Sequence, residues 1–270
     1  MLEPLLIDIG ANLTNRRFGA DLDAVLARAQ AAGLVHIVVT GTSQAASEQA
    51  LVLAKRHPGL LSCTAGVHPH DASQWDDNSA AAITALALDT AVVAVGECGL
   101  DYNRMFSPRA AQLACFEAQL NLAVTLRKPV FLHERDAHDD FFALLKQYRP
   151  RLAGAVVHCF TGDSGQLRQY LDLDCHIGVT GWVCDERRGD ALREAVRYLP
   201  LERMMIETDA PYLTPRNLRP APAGNRNEPM YLPFVLQAVA AIAGIPPAQL
   251  ALRLHATTSQ FFGLATSATN

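Results

Sequence analysis

The chain has 270 residues, of which 50% are hydrophobic and 19% are charged. This composition excludes an intrinsically disordered protein, because disordered chains lack the apolar surface needed to offset the entropy lost on ordering. The net charge of −4 argues against a broad basic face for duplex DNA or anionic lipid, although it allows a local basic rim.

Eight short, almost continuously apolar runs predict strands that are covered on both faces, as in a parallel sheet. In chain order they are Leu5 to Asp8, Ile37 to Thr40, Leu60 to Ala65, Val92 to Gly96, Val130 to His133, Ala155 to His158, Ile177 to Thr180 and Met204 to Thr208. Helical sequence follows each run, so the pattern predicts an α/β protein with a (β/α)8 TIM barrel. A doubly wound sheet is the alternative, but no GxGxxG loop follows the first strand.

The helices between these runs show apolar side chains at a period of 3.6 residues. Ser107 and Pro108 are typical of a helix start, as N-cap and first helical residue. The last predicted helix runs from about Tyr231 to Ala243. No linker composition divides the chain, so we predict one barrel domain over residues 1–264 and a disordered tail over 265–270.

The sequence also predicts where the protein resides. An acidic residue at Glu3 argues against a signal peptide, and no apolar run reaches the ~18 residues of a membrane span. Six cysteines without a CxxC pair indicate reduced thiols. We therefore predict a cytoplasmic protein with no membrane segment and, since nothing resembles an obligate interface, a monomer.

Side chains that can bind a metal recur where the predicted strands end. Five of the eight run ends carry one: His68, Glu97, His133, His158 and Asp209. The active site of a barrel enzyme is built at the carboxyl ends of its strands, so these five are expected to meet at one mouth. Burying each polar group separately would be costly. The pattern therefore predicts a metal-dependent hydrolase.

Alternation along the strands assigns the neighbours of these residues. If Glu97, His133 and His158 point inward, Cys98 and Cys159 point out toward the helices.

Two further residues share a face with predicted site residues. Arg135 lies two residues after His133, where its guanidinium could bind a phosphate in bidentate fashion. Glu207 lies two residues before Asp209 and could orient a metal ligand without binding the metal itself.

Seven segments occur in an order that is specific in combination. They are GVHPH (66–70), GECGLDY (96–102), PVFLHERDAHD (129–139), HCFTG (158–162), GVTG (178–181), IETDAPY (206–212) and NRNEP (225–229). Together they resemble the TatD family of metal-dependent deoxyribonucleases, over about Leu6 to Leu264. The resemblance implies a (β/α)8 metallohydrolase with 3′→5′ exonuclease activity on single-stranded DNA and on RNA, in DNA repair or nucleic-acid degradation.

The resemblance also implies roles for individual residues. By position, Glu97, His133, His158 and Asp209 would be the metal ligands, and Glu97 and Asp209 the catalytic residues. Asp209 would orient or deprotonate the attacking water.

The chain departs from most members of the family after the first strand. A His-x-His pair is usual there, whereas this chain has Gly10 and Asn12. Glycine has no ligand atom and an amide oxygen is a weak ligand, so a second metal site is incomplete; the departure favours the subgroup that lacks the pair. Two histidines and two carboxylates suit Zn²⁺, Mn²⁺ or Fe by ligand softness, while the resemblance favours Mg²⁺.

Five residues are predicted to contact the substrate: His68, Tyr102, Arg135, Tyr212 and Arg226. Tyr102 and Tyr212 could stack on unpaired bases, at about 1–3 kcal/mol each, or could simply anchor their loops. Arg226 belongs to a basic stretch, Arg216 to Glu228, which is the best local rim for nucleic acid; a solvated loop is the alternative reading.

Two other functions compete with a nuclease. The first is an ester or amide metallohydrolase on the same barrel, such as an aminoacyl-tRNA deacylase, because the fold does not settle the chemistry. Arg135 and the basic stretch favour a phosphate substrate over this alternative. The second is a non-catalytic quality-control factor for protein export, which would have no need of a metal site.

Overall fold

Eight parallel strands form the centre of the molecule in a computed structural model that describes residues 5–187 and 189–264. The predicted tail, 265–270, lies outside the described residues. The strands neighbour one another in chain order and are β1 (Leu6–Ala11), β2 (Leu34–Val39), β3 (Leu61–Ala65), β4 (Val92–Asp101), β5 (Val130–Arg135), β6 (Ala155–Val157), β7 (His176–Val179) and β8 (Met204–Ile206). The (β/α)8 TIM barrel predicted from the sequence is confirmed.

Helices cover the outside of these strands. They are α1 (Leu22–Ala31), α2 (Gln44–Arg56), α3 (Asp77–Ala87), α4 (Arg109–Leu126), α5 (His138–Tyr148), α6 (Ser164–Asp172), α7 (Asp190–Val196), α8 (Leu232–Ala243) and α9 (Pro247–Phe262). Within the described ranges no single helix is long and apolar enough to cross a membrane, although α8 and α9 together, bent by 107°, pass that test of length and composition.

The first and last strands meet at a sparse seam. One isolated parallel bridge joins Ala11 to Ala210. The Asn12 N–H donates to the Ala210 carbonyl at 2.7 Å, and the Asp209 N–H donates to the Gly10 carbonyl at 2.8 Å. A few backbone hydrogen bonds therefore close the barrel, and they lie directly beside Asp209, a predicted catalytic residue.

A buried carboxylate reinforces this seam. Asp8 accepts hydrogen bonds from the Thr208 N–H at 3.0 Å, the Thr208 hydroxyl at 2.5 Å and the Gly10 N–H at 3.2 Å. Burial raises the pKa of Asp8 to about 7, against the opposing effect of these hydrogen bonds. Asp8 thus ties β1 to the segment that carries the last site residues.

An apolar cluster fills the interior of the barrel below the mouth. It draws Ile7, Ile9, Val38, Ala94, Phe131, Val156 and Met205 from six strands, with Phe262 of α9. The ring of Phe131 stacks on His158 with 4.4 Å between ring centres. The polar side chains of the mouth therefore lie above this apolar cluster.

Two details of the predicted helices are wrong. The helix over Leu232–Ala243 is not the last, because Gly244 ends it in the left-handed conformation and α9 follows, with Leu250 and Leu254 buried at a spacing of four residues. Ser107 is not an N-cap, since α4 begins one residue later than predicted and the Ser107 hydroxyl instead donates to the His70 carbonyl.

Candidate active site

Glu97 is the centre of a cluster of imidazoles at the mouth of the barrel. Its Oε1 atom lies 2.8 Å from His158 Nε2, 2.9 Å from His133 Nδ1 and 3.4 Å from His68 Nε2. Strand β4 presents this side chain, and the Glu97 N–H donates to the Gly41 carbonyl at 2.7 Å. Burial alone would raise the pKa of Glu97, but the His158 and His68 imidazoles hold it well below its usual range.

His158 is held between two carboxylates. Its Nε2 atom faces Glu97, and its Nδ1 atom lies 3.3 Å from Oε2 of Glu207. Burial opposes the charged ring, yet Glu97 and Glu207 raise the pKa of His158 well above its usual value. The ring is therefore oriented from both sides, with Nε2 directed into the mouth.

Glu207 is fully buried beneath this cluster. Besides its contact with His158, its Oε1 atom accepts the Cys159 N–H at 2.5 Å. A Cβ atom at Gly10 would lie 2.4 Å from Glu207 Oε2, and one at Gly178 would lie 2.5 Å from Oε1. Glycine at both positions therefore makes room for the Glu207 carboxylate, which occupies the space that a side chain at position 10 would need.

Asp209 follows β8 and lines the same cavity. Its backbone is left-handed, with φ of 52°, and its Oδ1 atom accepts a hydrogen bond from the Asn12 amide at 2.9 Å. Burial raises the pKa of Asp209 to about 7, with repulsion from Glu97 and Glu207 acting in the same direction. Asn12 thus fixes the orientation of Asp209.

Asp101 binds the imidazole of His70 and lies near that of His133. Its Oδ2 atom lies 2.7 Å from His70 Nε2 and 3.6 Å from His133 Nε2, the second distance being beyond hydrogen-bond range. Within the described residues, His133 Nε2 is a buried atom with no hydrogen-bond partner.

The donor set of this cluster fits a divalent metal ion. Ligand atoms of His68, Glu97 and His133 all lie within 4.8 Å of one another, and His158 reaches the same Glu97 oxygen at 2.8 Å. Imidazole nitrogen with carboxylate oxygen is a combination that first-row divalent ions accept. His133 Nε2, which is buried without a hydrogen-bond partner, also fits a site that binds a further group.

A cavity of about 570 Å³ opens above the cluster. Of the predicted site residues it brings together six: His68, Glu97, His133, His158, Asp209 and Tyr212. Tyr212 stands at the rim, 50% exposed, and its hydroxyl accepts a hydrogen bond from the Asn15 amide at 3.0 Å.

Tyr102 and Arg135 lie outside that cavity. The Tyr102 hydroxyl donates to Asp140 at 2.5 Å, and its ring lines a neighbouring cavity rich in carboxylates. Arg135 donates to the Thr161 hydroxyl at 3.0 Å and lies over the ring of Trp182, 5.5 Å from its centre. Tyr102 follows β4 and Arg135 is the last residue of β5, and neither side chain lines the cavity above the Glu97 cluster.

Arg226 is engaged elsewhere. Its guanidinium donates to both carboxylate oxygens of Asp21 at 2.8 Å and to Glu228 at 2.6 Å, and it packs over the ring of Phe18. Arg216, at the other end of the basic stretch, pairs with Asp185 at 2.8 Å. The expected basic rim is thus largely neutralised by internal ion pairs, and Arg226 is not brought to the cavity.

The orientation predicted for Cys159 is wrong. Strand β6 ends at Val157, and Cys159 adopts φ of 46°, so the alternation of a strand does not extend to it. Cys159 lines the cavity instead. Cys98, within β4, is buried in the outer core as predicted.

Three positioning residues escaped the sequence analysis. Asp101 lies four residues after Glu97 and so on the same face of a strand, a signal that could have been used. Asn12 was seen only as a poor metal ligand. Asn15 carries no signal, because its partner Tyr212 is 197 residues away in the chain.

A family model described as TatD related DNase matches residues 7–263. The chain belongs to the TatD family. A TatD-family relative from Citrobacter rodentium, named 3′-5′ ssDNA/RNA exonuclease TatD, is 52% identical over 259 residues, which cover 96% of this chain and 98% of the relative.

Solved structures of the TatD family are also similar. The TatD homologue YjjV of Escherichia coli K12 has a TM-score of 0.87 at 30% identity and covers 96% of this chain and 98% of its own. A TatD-family hydrolase of Entamoeba histolytica has a TM-score of 0.87 at 27% identity and covers 98% of this chain and 100% of its own.

Proposed function

We propose that this TatD-family protein is a metal-dependent 3′→5′ exonuclease that hydrolyses the phosphodiester bonds of single-stranded DNA and RNA. The observation that carries the proposal is the convergence of three imidazoles on one oxygen of Glu97 at the mouth of the barrel. The names of relatives about half identical to this chain support the choice of substrate. Activity of this kind suits DNA repair or nucleic-acid degradation.

Glu97, His133, His158 and Asp209 would hold the divalent ion, which we propose to be Mg²⁺, with Mn²⁺ or Zn²⁺ as substitutes. Such an ion lowers the pKa of a bound water and polarises a phosphoryl oxygen. The distances to Glu97 support the two histidines as ligands, and the shared cavity supports Asp209.

Asp209 would orient the attacking water and take its proton. Burial raises the pKa of Asp209 to about 7 in the metal-free protein. A bound cation would lower this pKa, so that the carboxylate is ionised and can accept a proton. The Asn12 amide donates to Oδ1 at 2.9 Å, which fixes the orientation of the carboxylate toward the metal and the water. Glu97 would align the imidazoles, since its Oε1 atom touches three of them.

The substrate contacts follow from the shape of the mouth. His68 would contact the scissile phosphate from within the cavity, and Tyr212 would stack on the terminal base at its rim. Arg135 would bind a phosphate that emerges from the cavity, because its side chain is about one-third exposed and its polar contacts are a hydrogen bond to the Thr161 hydroxyl and a long ion pair, 4.0 Å, with the exposed Asp136. Tyr102 and Arg226 carry no part of this proposal.

We also propose that the protein is cytoplasmic and monomeric. Throughout the described residues the six cysteines are free thiols, which is typical of a reducing compartment.

The test is cleavage of a 5′-labelled single-stranded oligonucleotide by the wild type and by Glu97→Ala, with Mg²⁺ and with EDTA. We expect a ladder that shortens from the 3′ end, requires the metal and is lost in the variant. Glu194→Ala removes a half-exposed glutamate on α7 and is the matched control. Absence of cleavage by folded, metal-loaded wild type would refute the nuclease, and turnover of aminoacyl esters would then support the deacylase.

A further inference from the structure

An exposed phenylalanine stands beside the active-site cavity. Phe106, in the loop between β4 and α4, is 68% exposed, and its neighbour Met105 is 47% exposed. The Phe106 ring meets His70 edge to face, with 4.7 Å between ring centres, and His70 lines the cavity. An exposed aromatic ring beside the cavity is available to stack on a ligand that enters the mouth.

Buried polar side chains hold this loop in place. Asp101 accepts hydrogen bonds from two backbone N–H groups of the loop, at 2.9 and 2.8 Å. Gln112 donates to the carbonyls of Asp101 and Ser107, and the Ser107 hydroxyl donates to the His70 carbonyl at 2.8 Å. Asp101, Ser107 and Gln112 are each at most 3% exposed. The loop therefore presents Phe106 outward rather than letting it fold onto the core.

Phe106 and Tyr212 belong to loops on different sides of the mouth. Phe106 follows β4, whereas Tyr212 follows β8, and these strands are four apart in the order of the eight-stranded barrel. The loops after them consequently lie on opposite sides of the mouth, with the Glu97 cluster between them.

The charge of the protein also favours an aromatic contact. The net charge is −4, and Arg216 and Arg226 are neutralised by carboxylates. Because these two arginines are engaged by carboxylates, stacking is a further source of affinity for a single strand.

We propose that Phe106 is a stacking platform for an unpaired base of the nucleic-acid strand, opposite Tyr212. This inference rests on the proposed function, because it takes single-stranded nucleic acid as the substrate. The strand crosses the mouth between the two rings, with the scissile phosphate over the Glu97 cluster. A base inside a duplex is stacked on both faces, so Phe106 can stack on an internal base only where the strand is unpaired.

The test compares Phe106→Ala with Phe106→Tyr, which keeps an aromatic face. Leu88→Ala is the control, since Leu88 is 70% exposed at the end of α3. Steady-state kinetics are measured on a single-stranded oligonucleotide and on the same oligonucleotide with abasic residues at its 3′ end, which offer no ring for stacking. Equilibrium binding of an oligonucleotide with 2-aminopurine near its 3′ end is measured by fluorescence in EDTA.

We expect Phe106→Ala to raise KM and Kd for the oligonucleotide about 5- to 100-fold and to abolish the quenching of 2-aminopurine. The kcat value and the kinetics on the abasic substrate should change little. Phe106→Tyr and Leu88→Ala should behave as the wild type. Unchanged binding and quenching in Phe106→Ala would overturn the platform even if the wild type is an active nuclease. Wild type that binds the oligonucleotide with quenching but cleaves nothing would instead refute the nuclease and leave the platform supported; wild type that does not bind overturns the platform.

Discussion

At the residue scale, the buried carboxylate of Glu207 decides how His158 is presented. It accepts the Cys159 N–H and faces His158 Nδ1, which leaves Nε2 for the metal that we propose His158 to bind. Carboxylates that orient a metal-bound imidazole contribute about 10- to 100-fold to metal affinity or activity.

We expect Glu207→Gln to weaken Mn²⁺ binding by about 10- to 100-fold, because a neutral amide no longer polarises the ring. Isothermal titration with Mn²⁺ measures this without reference to activity. Glu134→Gln, a partly buried glutamate on β5, is the matched control. Wild-type affinity in Glu207→Gln would show that the ring is held by packing alone.

The space around Glu207 gives a prediction for stability. A Cβ atom at Gly10 would approach Glu207 Oε2 to 2.4 Å, whereas one at Gly19 meets only the Arg16 carbonyl, at 3.5 Å. We expect Gly10→Ala to lower the free energy of unfolding by about 1–3 kcal/mol and Gly19→Ala to change it little. Urea unfolding of the two variants measures the difference. Equal stabilities would mean that Glu207 moves aside at no cost.

At the scale of elements, the seam between β1 and β8 depends on one buried carboxylate. The pKa of Asp8 is raised from 3.8 to about 7, so the folded state binds its proton more tightly than the unfolded state does. The contribution of Asp8 to stability is therefore greatest below its unfolded pKa and is lost as the pH rises through about 7.

Asp8→Asn removes this titration. We expect the stability of the wild type relative to Asp8→Asn to fall as the pH rises from about 5 to 7, by at most about 1.4 kcal/mol per unit, and then to level off. Urea unfolding of both metal-free proteins across this range gives the difference directly. A difference that does not change with pH would show that Asp8 is ionised throughout.

Local patterns could predict the strands and the residues at their ends, but not how those residues are held. The spacing of βα units in a barrel sets the positions of four site residues, Glu97, His133, His158 and Asp209. That spacing can be read from the sequence alone. The contacts Asn12–Asp209 and Asp101–His70 join distant segments, so only the closed barrel reveals them. Arg226 shows the opposite case. The sequence suggests a cation that is available to nucleic acid, but in the fold Asp21 and Glu228 form ion pairs with Arg226.

At the scale of the whole molecule, the surface charge predicts a weak dependence on salt. Each phosphate contact adds about 0.7 to the slope of log affinity against log salt for a single strand. With net charge −4 and paired arginines around the mouth, we expect a slope of about 2 or less.

The measurement is KM for a single-stranded oligonucleotide at constant Mg²⁺, with KCl from about 50 to 300 mM, so that at most about three phosphates are neutralised. Arg135→Gln should lower the slope by about 0.7 if its guanidinium binds a phosphate. Arg226→Gln, whose native side chain is already paired, should leave the slope unchanged. A slope above about 4 would require a cationic surface that the closed ion pairs do not provide.

The sparse seam has a consequence for the time at which the enzyme becomes active. Asn12 and Asp209, which hydrogen-bond to each other across it, are 197 residues apart in the chain, and contacts of such high sequence separation form late in folding. A growing chain on the ribosome acquires Glu97, His133 and His158 well before Asp209 is synthesised. Such a chain has the Glu97 cluster but lacks Asp209, which we propose as the base, so we expect nuclease activity to appear only once the barrel has closed.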